Sequence, residues 1–201
     1  MFTLALASVL AISLAANALG AVQADVQKLF EAGQYEQLIQ LVRDRESPAP
    51  EDLYLAGYAA SKLDPPDLDA AREFFARFEG EESDPWTFIA RSATATLDHN
   101  GGAAAEAANQ AVTRAPKNVH AQYQLGLALA EKKDMGGAAQ AFDRAIAVDP
   151  NFAYAHYYGG MAYYQIKRVD RMANAFERFL KLAPEAPERP AIESLMRSIR
   201  R

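Results

Sequence analysis

The chain has 201 residues, half of them hydrophobic and 23% charged, with a net charge of −5 and a sequence pI near 5.3. Such a balance belongs to a folded chain, and its acidity excludes a general nucleic-acid binder, which needs a basic footprint. Cysteine is absent, which excludes disulfides, thiol chemistry, cysteine-ligated zinc or iron–sulfur centres and a lipid on an N-terminal cysteine.

Residues 2–24 carry no charged side chain: an apolar run from Phe2 to Ala16 leads into the small-residue patterns Ala16-Asn17-Ala18 and Val22-Gln23-Ala24. The segment reads as a secretory signal peptide cleaved between Ala18 and Ala24, although no Lys or Arg precedes the apolar run. Two alternatives stand beside it: an uncleaved anchor in the inner membrane, for which the stretch is just long enough, and an apolar helix packed on the next element. An exported, periplasmic protein is the reading adopted, with the membrane involved only if the segment is retained.

From residue 22 to 50, Val26, Leu29 and Phe30 form a first helical stripe, Ala32-Gly33-Gln34-Tyr35 a turn, and Leu38, Ile39, Leu41 and Val42 a second stripe closed by Pro48 and Pro50. Residues 51–84 repeat the plan with Gly57, Ala70 or Ala71, and Phe74. Asp64-Pro65-Pro66-Asp67 breaks the helices and implies a one-residue insertion in the turn. An acidic connector, Glu79 to Asp84, follows. Residues 85–118 keep the second-helix pattern in Ala104, Ala108, Ala111 and Pro116, but Arg91 and Ser92 stand where the next unit has Leu125 and Gly126. His99-Asn100-Gly101-Gly102 and Lys133-Asp134-Met135-Gly136-Gly137 read as turns in which glycine supplies the positive φ.

Residues 119–152 and 153–186 are one 34-residue unit written twice without a gap: Gly126 falls on Gly160, Leu129 on Tyr163, Phe142 on Phe176 and Pro150 on Pro184. Small residues at Gly126, Ala138, Gly160 and Ala173 allow close helix approach, while Leu125, Phe142, Tyr163 and Phe176 fill the space between. The last stretch, 187–201, places Ile192, Leu195, Met196 and Ile199 on one helical face, with Glu193, Arg197, Arg200 and Arg201 on the other, as a cap on a stack requires.

A 34-residue period with small, aromatic and proline positions in these slots resembles the tetratricopeptide repeat (TPR), a helix–turn–helix unit. The resemblance implies an all-α fold, a right-handed superhelix of stacked antiparallel helix pairs. About five units (22–50, 51–84, 85–118, 119–152 and 153–186) and a C-terminal capping helix would build it. It also implies a concave groove, lined by the first helices of successive units, that receives a peptide or helix of a protein partner. Counting each unit from 85, 119 and 153, the groove slots are the second, fifth, ninth and twelfth. They hold Trp86, Ile89, Ala93 and Thr96; His120, Tyr123, Leu127 and Ala130; and Tyr154, Tyr157, Met161 and Tyr164. The Lys and Asn side chains with which chaperone-tail TPR domains clamp a carboxylate are missing from these slots, so an apolar or amphipathic partner segment is expected.

No catalytic residue, cofactor or metal is expected. GxSxG, HExxH, Walker A and GxGxxG motifs are absent, and His99, His120 and His156 fall on non-equivalent slots without a third ligand. Asp64, Asp67, Asp69 and the EGEESD stretch lack the ligand spacing of a calcium loop and read as solvated connectors. The expected function is therefore a non-catalytic binding scaffold. Its alternatives are a membrane-anchored subunit of an envelope assembly or cytochrome maturation machine, and a self-associating homodimer joined through aromatic surfaces. The short unit 22–50 is expected to be the least protected part of the mature chain.

Overall fold

The structure, a computed structural model, describes residues 26–78 and 83–199. The uncharged segment 2–24, most of the acidic connector and Arg200–Arg201 lie outside the described residues. Eleven helices make up those that are described: α1 (26–31), α2 (Tyr35–Arg43), α3 (Pro50–Ser61), α4 (Leu68–Ala76), α5 (Pro85–Leu97), α6 (Gly101–Arg114), α7 (Val119–Glu131), α8 (Met135–Val148), α9 (Ala153–Gln165), α10 (Val169–Leu182) and α11 (Arg189–Ile199). Odd and even helices pair in sequence, and α11 covers the end of the stack with Ile192 and Met196 buried. Pro50 does not close the first pair; it is the first residue of α3, where its missing N–H costs nothing.

Three of the five pairs are locked by a ring lying where a glycine has no side chain. A Cβ on Gly126 would stand 2.5 Å from Phe142 Cε1, one on Gly160 would stand 2.6 Å from Phe176 Cε1, and one on Gly57 would stand 2.4 Å from Phe75 Cε1. Phe75, not Phe74, is therefore the locking ring of the second pair. The separation from Gly57 to Phe75 is two residues longer than from Gly126 to Phe142, so the Pro65-Pro66 turn holds a two-residue insertion, one more than expected. In the third pair the bulk is redistributed: Ser92 takes the glycine slot, Ala108 takes the phenylalanine slot, and Ser92 Oγ donates to Ala104 O at 2.7 Å. Both Ser92 and Ala108 are fully buried.

The turns inside the pairs correct the expected role of the paired glycines. Positive φ falls on Gly33, His99, Lys133 and Lys167, each one residue before the next helix's N-cap. At these corners the N–H groups of Gln34, Asn100, Asp134 and Arg168 reach back to Leu29 O, Ala95 O, Leu129 O and Tyr163 O, which is the Schellman closure of a helix end. Gly101-Gly102 and Gly136-Gly137 lie in the first turn of α6 and α8 instead. There Gly137 leaves room for the capping carboxylate of Asp134, whose Oδ2 would lie 2.5 Å from an added Cβ.

Two glycine substitutions with opposite signs test this packing. Gly126→Ala should lower stability by about 1–3 kcal/mol, because overpacking against Phe142 outweighs the gain in helix propensity. Gly102→Ala, whose Cβ would meet nothing closer than 3.6 Å, should raise it by up to about 1 kcal/mol. Urea unfolding of both variants reads the two signs.

Candidate functional site: the first-helix face

The concave face expected to hold a partner is largely filled by the chain itself. Ile89, Ala93, His120, Tyr123 and Tyr154 are buried, Trp86, Leu127, Tyr157 and Met161 are half-buried, and Tyr164 is exposed. A chain of eight rings crosses the face from Phe78 through Trp86, His120, Phe152, Tyr123, Tyr158 and Tyr154 to Phe30, with centroid spacings from 5.1 to 6.3 Å. Most are edge-on or tilted, the arrangements that aromatic quadrupoles favour. Trp86, Ile89, His120, Tyr123 and Tyr154 thus serve the protein's own core, because the helix pairs curl tightly enough for rings from opposite walls to meet.

A buried amide fastens this closure. Gln124 Oε1 accepts from Tyr54 Oη at 2.9 Å and Tyr58 Oη at 2.7 Å, while its Nε2 donates to Ser92 Oγ and Thr96 Oγ1, each at 3.2 Å. One fully buried side chain on α7 therefore ties α3 to α5, with its donors and acceptors all used. A Gln at this depth is stable only because the network is complete. Burial raises the Tyr54 and Tyr58 hydroxyls above the ordinary tyrosine value, so both remain donors.

A second fastening joins the first pair to the last. Phe30 packs edge-on against Tyr154, and Pro187 Cγ lies 3.0 Å from where a Cβ of Gly33 would be. Lys62 Nζ sits 3.1 Å from Glu188 Oε1 and 5.3 Å from the centre of the Tyr154 ring, and Tyr154 Oη donates to Glu188 Oε2 at 3.0 Å. The first pair, 26–43, consequently has tertiary support at both of its faces that the free end of an open stack lacks.

The three histidines do different work. His99 is exposed, with Nδ1 3.2 Å from Glu131 Oε1, and His156 Nε2 donates to Pro150 O at 3.0 Å, bracing the loop that enters α9. His120 lies in the ring chain, and its Nδ1 has no hydrogen-bond partner among the described residues. Burial alone pushes its pKa down to about 4. Among the described residues no three His, Asp or Glu side chains gather as a metal set would.

What the core leaves open is the second half of the same face. Tyr157, Met161 and Tyr164 follow one another at i, i+4 and i+7 along α9, and Leu127 and Ala130 occupy the matching slots of α7. Tyr157 keeps its proton to about 12, first through burial and then through its neighbours Tyr158 and Glu188. The stripe is uncharged.

Sequence reasoning found the residues of this face but not its filling. It missed Tyr54, Tyr58, Lys62, Gln124 and Glu188, the side chains that close it. Gln124 offered one signal, a polar residue in the slot that Ala90 and Tyr158 hold in the neighbouring units. Its partners lie as far as 70 residues away and carry no local pattern.

With the pairs and their face described, comparison with known proteins is direct. The tetratricopeptide-repeat family model matches residues 99–151 and 136–187. Over residues 99–187 the chain carries tetratricopeptide repeats. Among solved structures, "Crystal structure of MamA" is 19% identical with a TM-score of 0.50, covering 74% of this chain and 84% of that one. "MamA AMB-1 P212121" is 18% identical over 86% of this chain and 95% of that one, with a TM-score of 0.48, and a MamA RS-1 double mutant is 21% identical over 81% and 93%, with a TM-score of 0.47. At such identity the first of these shows a shared fold, the TPR solenoid. Among curated proteins no sequence matches. No helix of the described residues is long and apolar enough to cross a membrane.

Gln124→Leu should lower stability by about 1–3 kcal/mol, because the buried Tyr54 hydroxyl loses its acceptor, and the thermal midpoint of the variant reads the loss. Acid should act through His120. The unfolded chain takes up the proton near 6.5 and the folded one only at about 4, so stability is whole above about pH 6.5 and declines as the pH falls to 4. The difference amounts to about 3 kcal/mol, with a lesser share from His156, whose pKa burial also lowers. A His120→Phe variant should flatten most of that slope in denaturant titrations across the range.

Proposed function

We propose that the protein is a non-catalytic scaffold of the cell envelope that holds an apolar or amphipathic segment of a partner protein. The observation that carries this is the uncharged stripe of Tyr157, Met161 and Tyr164 beside Leu127 and Ala130, the part of the first-helix face that the core does not consume. Aromatic and thioether side chains on an uncharged, partly open helix face suit the apolar face of a helix or an extended segment, and they offer no cation for a terminal carboxylate. Export rests on the uncharged segment 2–24 with its small-residue cleavage patterns.

The test leaves the core alone. Tyr123, which a sequence-level design would include, is set aside because its removal would leave a cavity among the rings. Photo-crosslinking from position 130, beside the stripe on α7 and untouched by the substitutions that follow, should trap a partner through an apolar segment in intact cells. Tyr157→Ala, Met161→Ala and Tyr164→Ala together should abolish capture while the helical circular dichroism is unchanged. Capture that survives the triple variant overturns the reading. Mass spectrometry of the native protein reads export at the same time, since cleavage removes the residues before a site at Ala18 to Ala24.

A further inference from the structure

Five large apolar side chains are exposed among the described residues: Leu68, Val148, Tyr164, Ile166 and Val169. Four of the five sit in two turns that occupy equivalent places in their repeats and carry opposite charge. In the α9–α10 turn, residues 164–171 are all exposed, and Ile166 and Val169 bracket Lys167 and Arg168, neither of which has an ion-pair partner among the described residues. In the α3–α4 turn, residues 64–69 are all exposed, and Leu68 lies among Asp64, Asp67 and Asp69, the last of which makes only an exposed 3.7 Å pair with Arg72.

The basic turn is built against local stability. Asp67, Asn100 and Asp134 each cap the helix that follows them by accepting an N–H from its first turn, whereas Gln34 in front of α2 and Arg168 in front of α10 give no side-chain cap, and of these only Arg168 is a cation. A cation at a helix N-terminus forfeits about 1 kcal/mol of capping and opposes the helix dipole. Elsewhere neighbouring units are tied at this edge, by Arg72 of α4 to Asp98 at 2.8 Å and by His99 to Glu131 at 3.2 Å, and Lys167 and Arg168 make no such pair among the described residues. Asp170 is the one carboxylate in the exposed run, and Arg171 is already engaged with Asp143 and Tyr163.

We infer that this apolar and basic turn is a docking surface for a second copy of the same chain, which seats its acidic α3–α4 turn there. Leu68 meets Ile166 and Val169, and Asp64 and Asp69 meet Lys167 and Arg168. The complementarity is double, in charge and in exposed apolar area. The two surfaces lie on different units, so one copy uses one turn to give and the other to receive.

Charge exchange tests this with folded proteins. Lys167→Asp with Arg168→Asp makes both turns acidic; Asp also tolerates the positive φ at 167 and supplies the missing cap at 168, so thermal stability should hold or rise. Asp64→Lys with Asp69→Lys makes both turns basic and leaves the capping Asp67 in place. Light scattering of the full chain should show a concentration-dependent mass above that of the monomer, lost in about 1 M salt, where the screening length is about 3 Å. Each double variant alone should associate more than about tenfold less tightly, and an equimolar mixture of the two should recover association. A wild type that stays monomeric, a Lys167→Asp/Arg168→Asp variant that associates unchanged, or a mixture that recovers nothing overturns the inference. Binding of the wild type to anionic vesicles but not to itself, lost in the same variant, assigns the turn to lipid and overturns it equally. The substitutions leave Tyr157, Met161 and Tyr164 in place, so loss of self-association is separable from loss of the partner segment.

Discussion

A phenyl ring lying on a glycine is the contact from which this architecture grows. With no Cβ on Gly57, Gly126 or Gly160, the ring of Phe75, Phe142 or Phe176 can rest on the backbone of the partner helix, and the two helices of a pair come close enough to act as one slab. A slab of two amphipathic helices cannot bury its remaining apolar stripe alone, so it must stack on the next. The third pair shows that the constraint is on combined volume and not on identity. Ser92 and Ala108 exchange large for small across the same gap, and the serine hydroxyl is satisfied by Ala104 O.

Close pairs then set the curvature, and the curvature brings the inner walls together. Where an open superhelix would present its groove to solvent, rings from α1, α5, α7 and α9 meet in an unbroken series, and Gln124 links three helices through four hydrogen bonds. The price is a buried polar network that tolerates no missing member. The return is a rigid half of the face, which positions the open half along α7 and α9. One set of repeat slots is thus divided, sealed at Ile89, Ala93, His120, Tyr123 and Tyr154 and left open or half-open at Leu127, Tyr157, Met161 and Tyr164.

The ends of the chain take part in the same division. Phe30 on Tyr154 and Gly33 against Pro187 brace the first pair on the far end of the stack, and Lys62, Glu188 and Tyr154 join the second pair, the segment before the cap and the fifth pair. What the ring closure does not cover are the outermost turns, where side chains are free to be chosen for contacts outside the molecule. Arg168, a cation where Asp67, Asn100 and Asp134 cap and Gln34 is neutral, is such a choice, legible only by comparison with these four counterparts.

By itself the sequence determined the helix pairs, their order, the cap and the identity of the first-helix slots, because period, glycine, alanine and proline positions are local facts. It placed the third pair despite Ser92, but it misjudged local geometry in three places. These are the length of the Pro65-Pro66 insertion, the helix that Pro50 begins and the residues that carry positive φ. Each depends on which neighbour a residue meets and not on its type. Only the tertiary structure decided which slots stay accessible. Tyr123 and Tyr157 occupy the same slot in successive repeats, yet one is sealed among rings and the other is half open. The difference arises from curvature summed over several helix pairs and from contacts such as Gln124 to Tyr54, 70 residues apart, which no window along the chain contains.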